Sequence, residues 1–413
     1  MEIFRYKHFP FPVTRVILPS GLTVFIVKKE SKITLAQINF AAGSLDDGNL
    51  PGTAHFLEHM LFEGASHDGI HPKLRHLFIK GIDANASTCL ADTEYWVKGF
   101  SENFPDMLQA LFSIAFEASL SQAPMDKERR VILQEIRQGN YKKDFMLWFY
   151  KTLYPNTSYL HCTCSGAPKS VKKIKKTDLE TFHRQWYRPE NAALFIVGSI
   201  PDLQVVETIS GLLSPFPSKE PKHKTHCVEL PKFVRQAHKD DQEQERLIIY
   251  FPEPEEREWQ LELIIASKLL VSAPFGILYE KLRLKDRCVY GIRSEDSAWP
   301  TLHSTIETPA QPKYFPYIEE EIFKGIDRLI QCDYSNDLFE AVRSEDRMSF
   351  TTMRENMRHS KAVNILANQW IENRFKDIDV ENFILSIKRE DIAEAVGRYW
   401  RRDRSGRISV IHK

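Results

Sequence analysis

No stretch of the sequence approaches the ~18 consecutive apolar residues that a bilayer-spanning helix requires, so no membrane span is expected. Charge of one sign is not in excess either. The 56 lysines and arginines balance 56 aspartates and glutamates, which argues against nucleic acid or an anionic membrane surface as partner. The one basic run, Lys169-Ser-Val-Lys-Lys-Ile-Lys-Lys176, has no interleaved aromatics and reads as the solvated start of a helix. Cysteine is sparse: six in 413 residues do not make a disulfide framework. Cys162-Thr-Cys164 is too tight for a C-x-x-C metal or redox pair. The opening Met-Glu-Ile-Phe-Arg-Tyr-Lys-His lacks the apolar core of a secretion signal. A soluble cytoplasmic protein with reduced thiols is the expectation.

The chain's 413 residues exceed one compact core and suit two domains of about 200 residues each. An internal repeat supports this division. Ile174-Lys-Lys-Thr-Asp178-Leu179, then Trp186-Tyr187-Arg188, then the apolar Ala193–Val197 correspond to Ile387-Lys-Arg-Glu-Asp391-Ile392, Tyr399-Trp400-Arg401 and Arg407–Ile411. The offset is 213 residues. Thr34–Phe40 similarly resembles Glu245–Phe251 at an offset of 211. The join falls in 214–244, where Pro215, Pro217, Pro221 and Pro231 interrupt any periodicity. Domains at 1–213 and 245–413 around a linker are therefore expected. In the first half, strands at Thr23–Val27 and Thr34–Phe40 precede helices near His55–Phe62, Asn103–Leu120 and Lys127–Leu153. Pro105 suits a first helical turn, and Asp126 is the expected N-cap of the third helix. Strands followed by helices, with a strand closing each half, indicate α+β.

The densest chemistry is His55-Phe-Leu-Glu58-His59. On a helix, residues four apart lie about 40° from one another, so both imidazoles share one face, with Glu58 about 60° to the other side of His55. Two metal ligands then stand beside a carboxylate placed to handle water. The H-x-x-E-H order marks the inverted zinc peptidases. A catalytic zinc takes three protein ligands and keeps one open position. Glu135, 76 positions after His59 in Glu128-Arg-Arg-Val-Ile-Leu-Gln-Glu135, is the candidate third ligand. Glu128, seven residues earlier, projects from nearly the same face. Without the histidines this helix would read as an ordinary solvated face. His67, His71 and His76 share no helix face with the pair and read as surface residues, while Cys89 and Cys288 read as buried small hydrophobes.

Pro51-Gly-Thr-Ala-His55-Phe-Leu-Glu58-His59-Met-Leu-Phe-Glu-Gly64 resembles the M16 peptidases, the family of pitrilysin, insulin-degrading enzyme and the mitochondrial processing peptidases. Glu135 matches that family's downstream ligand and Glu128 its supporting acid. Gly81-Ile-Asp-Ala-Asn85-Ala86-Ser-Thr88 resembles its substrate-pairing strand, Leu18-Pro-Ser-Gly-Leu22 its opening turn, and Tyr187–Gly198 the close of its first domain. Leu282-Arg283-Leu-Lys-Asp-Arg-Cys-Val-Tyr290 resembles its Arg and Tyr seven apart. Where a glycine is usual before that Tyr, this chain has Arg287-Cys288-Val289. The resemblance implies two homologous domains, each a mostly antiparallel sheet packed with helices.

It also implies a zinc metalloendopeptidase with one Zn²⁺ per chain, held by His55, His59 and Glu135. Glu58 would be the general base and Glu128 would orient a ligand. A peptide would add as a strand along Asn85 and Ala86. Arg283 would grip a substrate carbonyl and Tyr290 donate to the oxyanion. No H-x-x-E-H counterpart stands near residue 268, so the second half carries no metal. Two domains, where relatives use four, imply a homodimer or a heterodimer with an M16 homologue. The alternative function is a non-catalytic peptide-binding or scaffold subunit.

Overall fold

A computed structural model describes residues 2–4, 11–63, 72–118, 120–155, 164–200, 202–214, 216–221, 231–241, 243–252, 260–297, 303–371 and 379–413. His67, His71, Cys162 and Pro215 lie outside the described residues. The chain forms two compact α+β units.

The first unit is built on a seven-stranded sheet in the order β1-β2-β3-β7-β4-β6-β5. The strands are β1 (Glu2–Phe4), β2 (Val13–Ile17), β3 (Thr23–Lys28), β4 (Ile33–Phe40), β5 (Asp83–Thr88), β6 (Thr93–Phe100) and β7 (Ala192–Gly198). Only β3 and β7 pair in parallel; the other neighbours run antiparallel. Helices α1 (Thr53–Glu63), α2 (Pro72–Ile79), α3 (Phe104–Phe116), α4 (Gln122–Leu153, of which the part from Trp148 belongs to the second unit), α5 (Pro168–Val171), α6 (Lys176–Trp186) and α7 (Asp202–Leu212) follow in chain order. Pro105 stands in the first turn of α3, where its missing N–H costs nothing. Asp126 does not cap α4. That helix begins a turn earlier, and Asp126 instead accepts a hydrogen bond from Gln122 Nε2 at 3.0 Å. The core is one apolar cluster in which Phe40 stacks on Tyr187, centroids 4.2 Å apart.

The second unit holds a five-stranded sheet in the order β10-β11-β9-β12-β8. Its elements are β8 (Arg235–Lys239), β9 (Arg246–Pro252), α8 (Gln260–Val271), a π-helical turn at Tyr279–Lys285, β10 (Arg293–Ser297) and β11 (His303–Pro309). Then come α9 (Phe315–Ile330) and α10 (Asn336–Glu355). Helix α11 (His359–Ile371) packs with the first unit, while α12 (Val380–Ser386), α13 (Arg389–Tyr399) and β12 (Gly406–Ile411) complete the second. Its core centres on Phe251 stacked against Trp400, 5.7 Å between centroids.

Two features depart from a plain reading of chain order. Strand β8 lies inside the Pro-rich 214–244 stretch and pairs in parallel with β12, as β3 pairs with β7. Its burial is low, so no hydrophobic alternation announces it. Second, α11 covers β7 and β4 of the first sheet: Trp370 meets Phe195 edge-on at 6.4 Å, and His359 Nε2 lies 3.0 Å from the Ile33 carbonyl. Covered by α3 on one face and α11 on the other, β4 is buried along nearly its whole length.

Candidate metal centre

Helix α1 is held at its start by a carboxylate. Asp47 Oδ2 accepts from Gly52 N at 2.5 Å and Oδ1 from Ala54 N at 2.7 Å, satisfying amides that a helix leaves open. Asp47 is buried, and burial pushes its pKa up to about 7 despite those amide bonds. Gly52 has φ +97°, and an added Cβ would meet the Ser165 carbonyl at 2.8 Å. That close approach sets 164–166 against the start of α1. Helix α4 is tied to the same structure through Arg129, whose guanidinium lies 5.0 Å from the Phe56 ring centre. Its amino groups donate to the Val171 and Ile174 carbonyls.

With both helices so anchored, His55, His59 and Glu135 each offer a donor atom, all within 4.8 Å of one another. Glu135 Oε2 stands 3.4 Å from His59 Nε2 and 4.0 Å from His55 Nε2. Four tetrahedral ligands at about 2.1 Å from zinc stand about 3.4 Å apart, so the set needs only a small closure to hold the ion. His₂Glu is also a zinc-type donor set. The residues present fit the metal. Glu128 Oε2 lies 3.2 Å from His59 Nδ1, which leaves Nε2 to face Glu135. Burial opposes the His59 imidazolium, but the Glu128 hydrogen bond and the charges of Glu58 and Glu135 outweigh it and raise its pKa.

Glu58 is 9% exposed and its Oε2 lies 4.0 Å from His55 Nε2. Burial raises its pKa, while His59 and the Thr88 hydroxyl oppose the rise. Thr88 donates to Oε2 at 3.1 Å, a contact that sequence reasoning did not foresee. Nor did it single out Asp47; an acid a few residues before Pro51-Gly52 was the available signal. A cavity of about 500 Å³ opens over the donors, walled by β5 residues including Asn85, Ala86 and Thr88 and by Cys164 and Ser165. β5 is the edge strand of its sheet, so beyond it the ladder has no further strand among the described residues.

The second unit contains Arg283 and Tyr290. Arg283 sits in the π-helical turn, exposed, and Nη1 donates to the Val289 carbonyl at 2.9 Å. The Tyr290 backbone N–H donates to Pro309 O at 2.9 Å, leaving a side chain that is 61% exposed. Between them Arg287 adopts φ +54°, a left-handed conformation that suits glycine. Helix α8 carries no histidine. Cys288 is buried. Cys89 is not the buried residue expected, because it follows the edge strand β5 and is exposed; desolvation of its thiol, with Asp92 and Glu94 nearby, pushes its pKa up to about 12. His76 is exposed in the last turn of α2.

Two sheet-and-helix units, one bearing a His₂Glu donor set beside a buried carboxylate, frame a candidate metal centre. Comparisons with known proteins agree. Residues 23–150 match the family model "Insulinase (Peptidase family M16)" and 173–345 match "Peptidase M16 inactive domain". The chain belongs to peptidase family M16. Human mitochondrial-processing peptidase subunit beta is 29% identical over 195 residues, which cover 46% of this chain and 39% of that protein. The chloroplastic stromal processing peptidase of Oryza sativa subsp. japonica is 30% identical over 219 residues, 49% of this chain and 17% of that one. The matches thus span well under two-thirds of either relative. A protease from Helicobacter pylori shares the fold with TM-score 0.81 at 19% identity, over 97% of this chain and 99% of that one. Pitrilysin does so with TM-score 0.77 at 16% identity, over 98% of this chain and 45% of its own. No helix among the described residues is long and apolar enough to cross a membrane.

Proposed function

We propose that the chain is a zinc-dependent endopeptidase acting on short or unfolded peptides. The observation that carries this reading is the convergence of His55, His59 and Glu135 with Glu58 beside them in one cavity. When bound, the ion supplies Lewis acidity, which polarises a carbonyl and acidifies water. The chain's own residues do the rest. Glu58, with its pKa raised by burial, takes a proton from the attacking water and returns it to the leaving amine. Glu128 keeps the proton of His59 on Nδ1. A peptide laid along β5 bonds to the open edge around Asn85 and Ala86, so recognition is mainly through backbone. We assign Arg283 to a substrate carbonyl and Tyr290 to the developing oxyanion, supported by the exposure of both side chains. The half-length match to processing-peptidase subunits supports a working unit of two chains, either two copies or one copy with an M16 homologue.

The test is digestion of a pool of unstructured peptides read by mass spectrometry, with Glu58→Gln alongside. Wild type cleaves, and the variant retains its zinc while losing about a thousandfold in kcat. A zinc-loaded wild type that binds peptides without cutting them, alone and with an M16 partner, would make the chain a binding subunit instead.

A further inference from the structure

We propose that Thr88 is a positioning residue that joins the peptide-binding edge to the general base: its main chain forms a rung for the peptide while its hydroxyl holds the Glu58 carboxylate. This inference rests on the hydrolytic reading above.

Which way the β5 main chain faces follows from one hydrogen bond. Cys89 N donates across the turn to Asp92 O at 2.8 Å. In an antiparallel ladder, pairs that exchange hydrogen bonds alternate with pairs that do not. Thr88 and Thr93, one position further along the hairpin, are therefore a pair without exchange. On an edge strand, the N–H and C=O of such a residue point away from the sheet. Ala86, opposite Tyr95, has the same aspect. Its N–H is met by the Asn85 carboxamide oxygen at 2.9 Å, not by β6. An incoming strand thus finds rungs at Ala86 and Thr88, both on the wall of the metal cavity.

Side chains alternate between the two faces of a strand, so Thr88 shares a face with Ala84 and Ala86, which pack on the core beneath. On that face the Thr88 hydroxyl donates to Glu58 Oε2 at 3.1 Å, the one hydrogen bond Glu58 makes among the described residues. Oε1 accepts none there, which leaves it for the proton of water. The end of β5 that carries Thr88 is itself fixed. Ser44 N donates to Cys89 O at 3.1 Å, and Thr93 Oγ1 donates to Ala42 O at 2.9 Å. A glutamate side chain has several rotatable bonds, and a donor on so fixed a strand removes part of that freedom before the reaction begins. One residue then sets both the peptide bond and the base against the same frame.

The test compares Thr88→Val, which keeps the shape and main chain but loses the hydroxyl, with Thr88→Ser, which restores it. Both are made in the full-length zinc-loaded chain, with a fluorescence-quenched peptide chosen from those the wild type cuts in the pool. Thr88→Val lowers kcat about ten- to hundredfold with KM unchanged, and Thr88→Ser recovers most of the loss. In a Glu58→Gln background, Thr88→Val costs nothing further, because the hydroxyl acts through that carboxylate. Calorimetry on the two Glu58→Gln proteins gives the same peptide affinity, since the rungs are main chain, and zinc affinity and melting temperature are also unchanged. Wild-type kcat in Thr88→Val, beside an inactive Glu58→Gln, would overturn this inference and leave the hydrolytic reading standing. An equal loss in the Glu58→Gln background, or a fall in zinc affinity or melting temperature, would make Thr88 merely structural and overturn it too. A zinc-loaded wild type that cuts no peptide in the pool would overturn the hydrolytic reading and this inference with it.

Discussion

The two sheets share a register and differ in what they place on it. Asn39 faces Glu94 in the first sheet; 211 residues later, Tyr250 faces Thr305 in the second. In the first unit Gln37 donates to Asn39 and Glu94 at 2.9 and 2.7 Å, and Asn39 donates to Asp92 at 2.7 Å. This polar cluster lies near enough to the candidate metal centre for the Glu58 charge to add to the burial that raises Glu94. The corresponding second-unit positions of Gln37 and Asn39 are Ile248 and Tyr250, both buried. The partner strand has adapted as well. Asn39 also lies opposite Ala193, whereas Tyr250 lies opposite Gly406, where an added Cβ would overlap the Tyr ring. One ladder thus serves a polar half with the candidate metal centre and an aromatic half, because backbone pairing is indifferent to which face the side chains serve.

The largest test of that contrast is Gly406→Ala. It forces the Tyr250 ring out of place, along with its hydroxyl bonds to Val234 N and the Lys232 carbonyl. A loss of about 3 kcal/mol in chemical denaturation is expected, whereas Ala193→Gly in the first unit costs about 1 kcal/mol. Equal losses would dissolve the distinction. Next, Glu128→Gln should weaken zinc binding by about 10–100-fold in a competition titration and leave the fold intact. An unchanged affinity would remove Glu128 from the metal site.

A third test is pH. Burial lifts Asp92 from 3.8 to about 6, so folding favours its neutral acid. The stability it contributes is present below about pH 4 and is lost as pH rises through about 6. In metal-free protein, Asp92→Asn should flatten this decline, by on the order of 2 kcal/mol at most between pH 4 and 7. A decline that persists would shift the cause to other buried acids such as Glu94, raised to about 7. The smallest effect belongs to Arg287, a left-handed non-glycine in the second unit. Arg287→Gly relieves that conformation, and a gain of about 1 kcal/mol is expected from melting curves.

Much of the repeat was legible because it rests on local signals. The Phe-Pro pair that starts α3 at Phe104 recurs at Phe315 at the start of α9, again 211 residues on. The aromatic closings and the apolar β7 and β12 repeat likewise. β8 was not legible: five residues that pair through backbone and bury little leave no periodic trace. At the candidate site, the helical spacing of His55, Glu58 and His59 needs no tertiary information, since one helix sets it. The link from Thr88 to Glu58 depends on how the edge strand β5 docks against α1, and no spacing within either segment states that.

The sequence by itself determined which side chains of the first half could bind metal, and that no H-x-x-E-H pattern recurs near residue 268, because ligand chemistry is a property of residue types. It also determined the two-fold repeat, since homologous segments carry the same caps and apolar patterns. Only the tertiary structure decided that α11 joins the first unit and that Glu135 reaches the two histidines. It likewise decided that Asp47 and Arg129 anchor the helices that carry the candidate ligands. Each of these depends on packing between segments far apart in the chain, which local propensity does not encode.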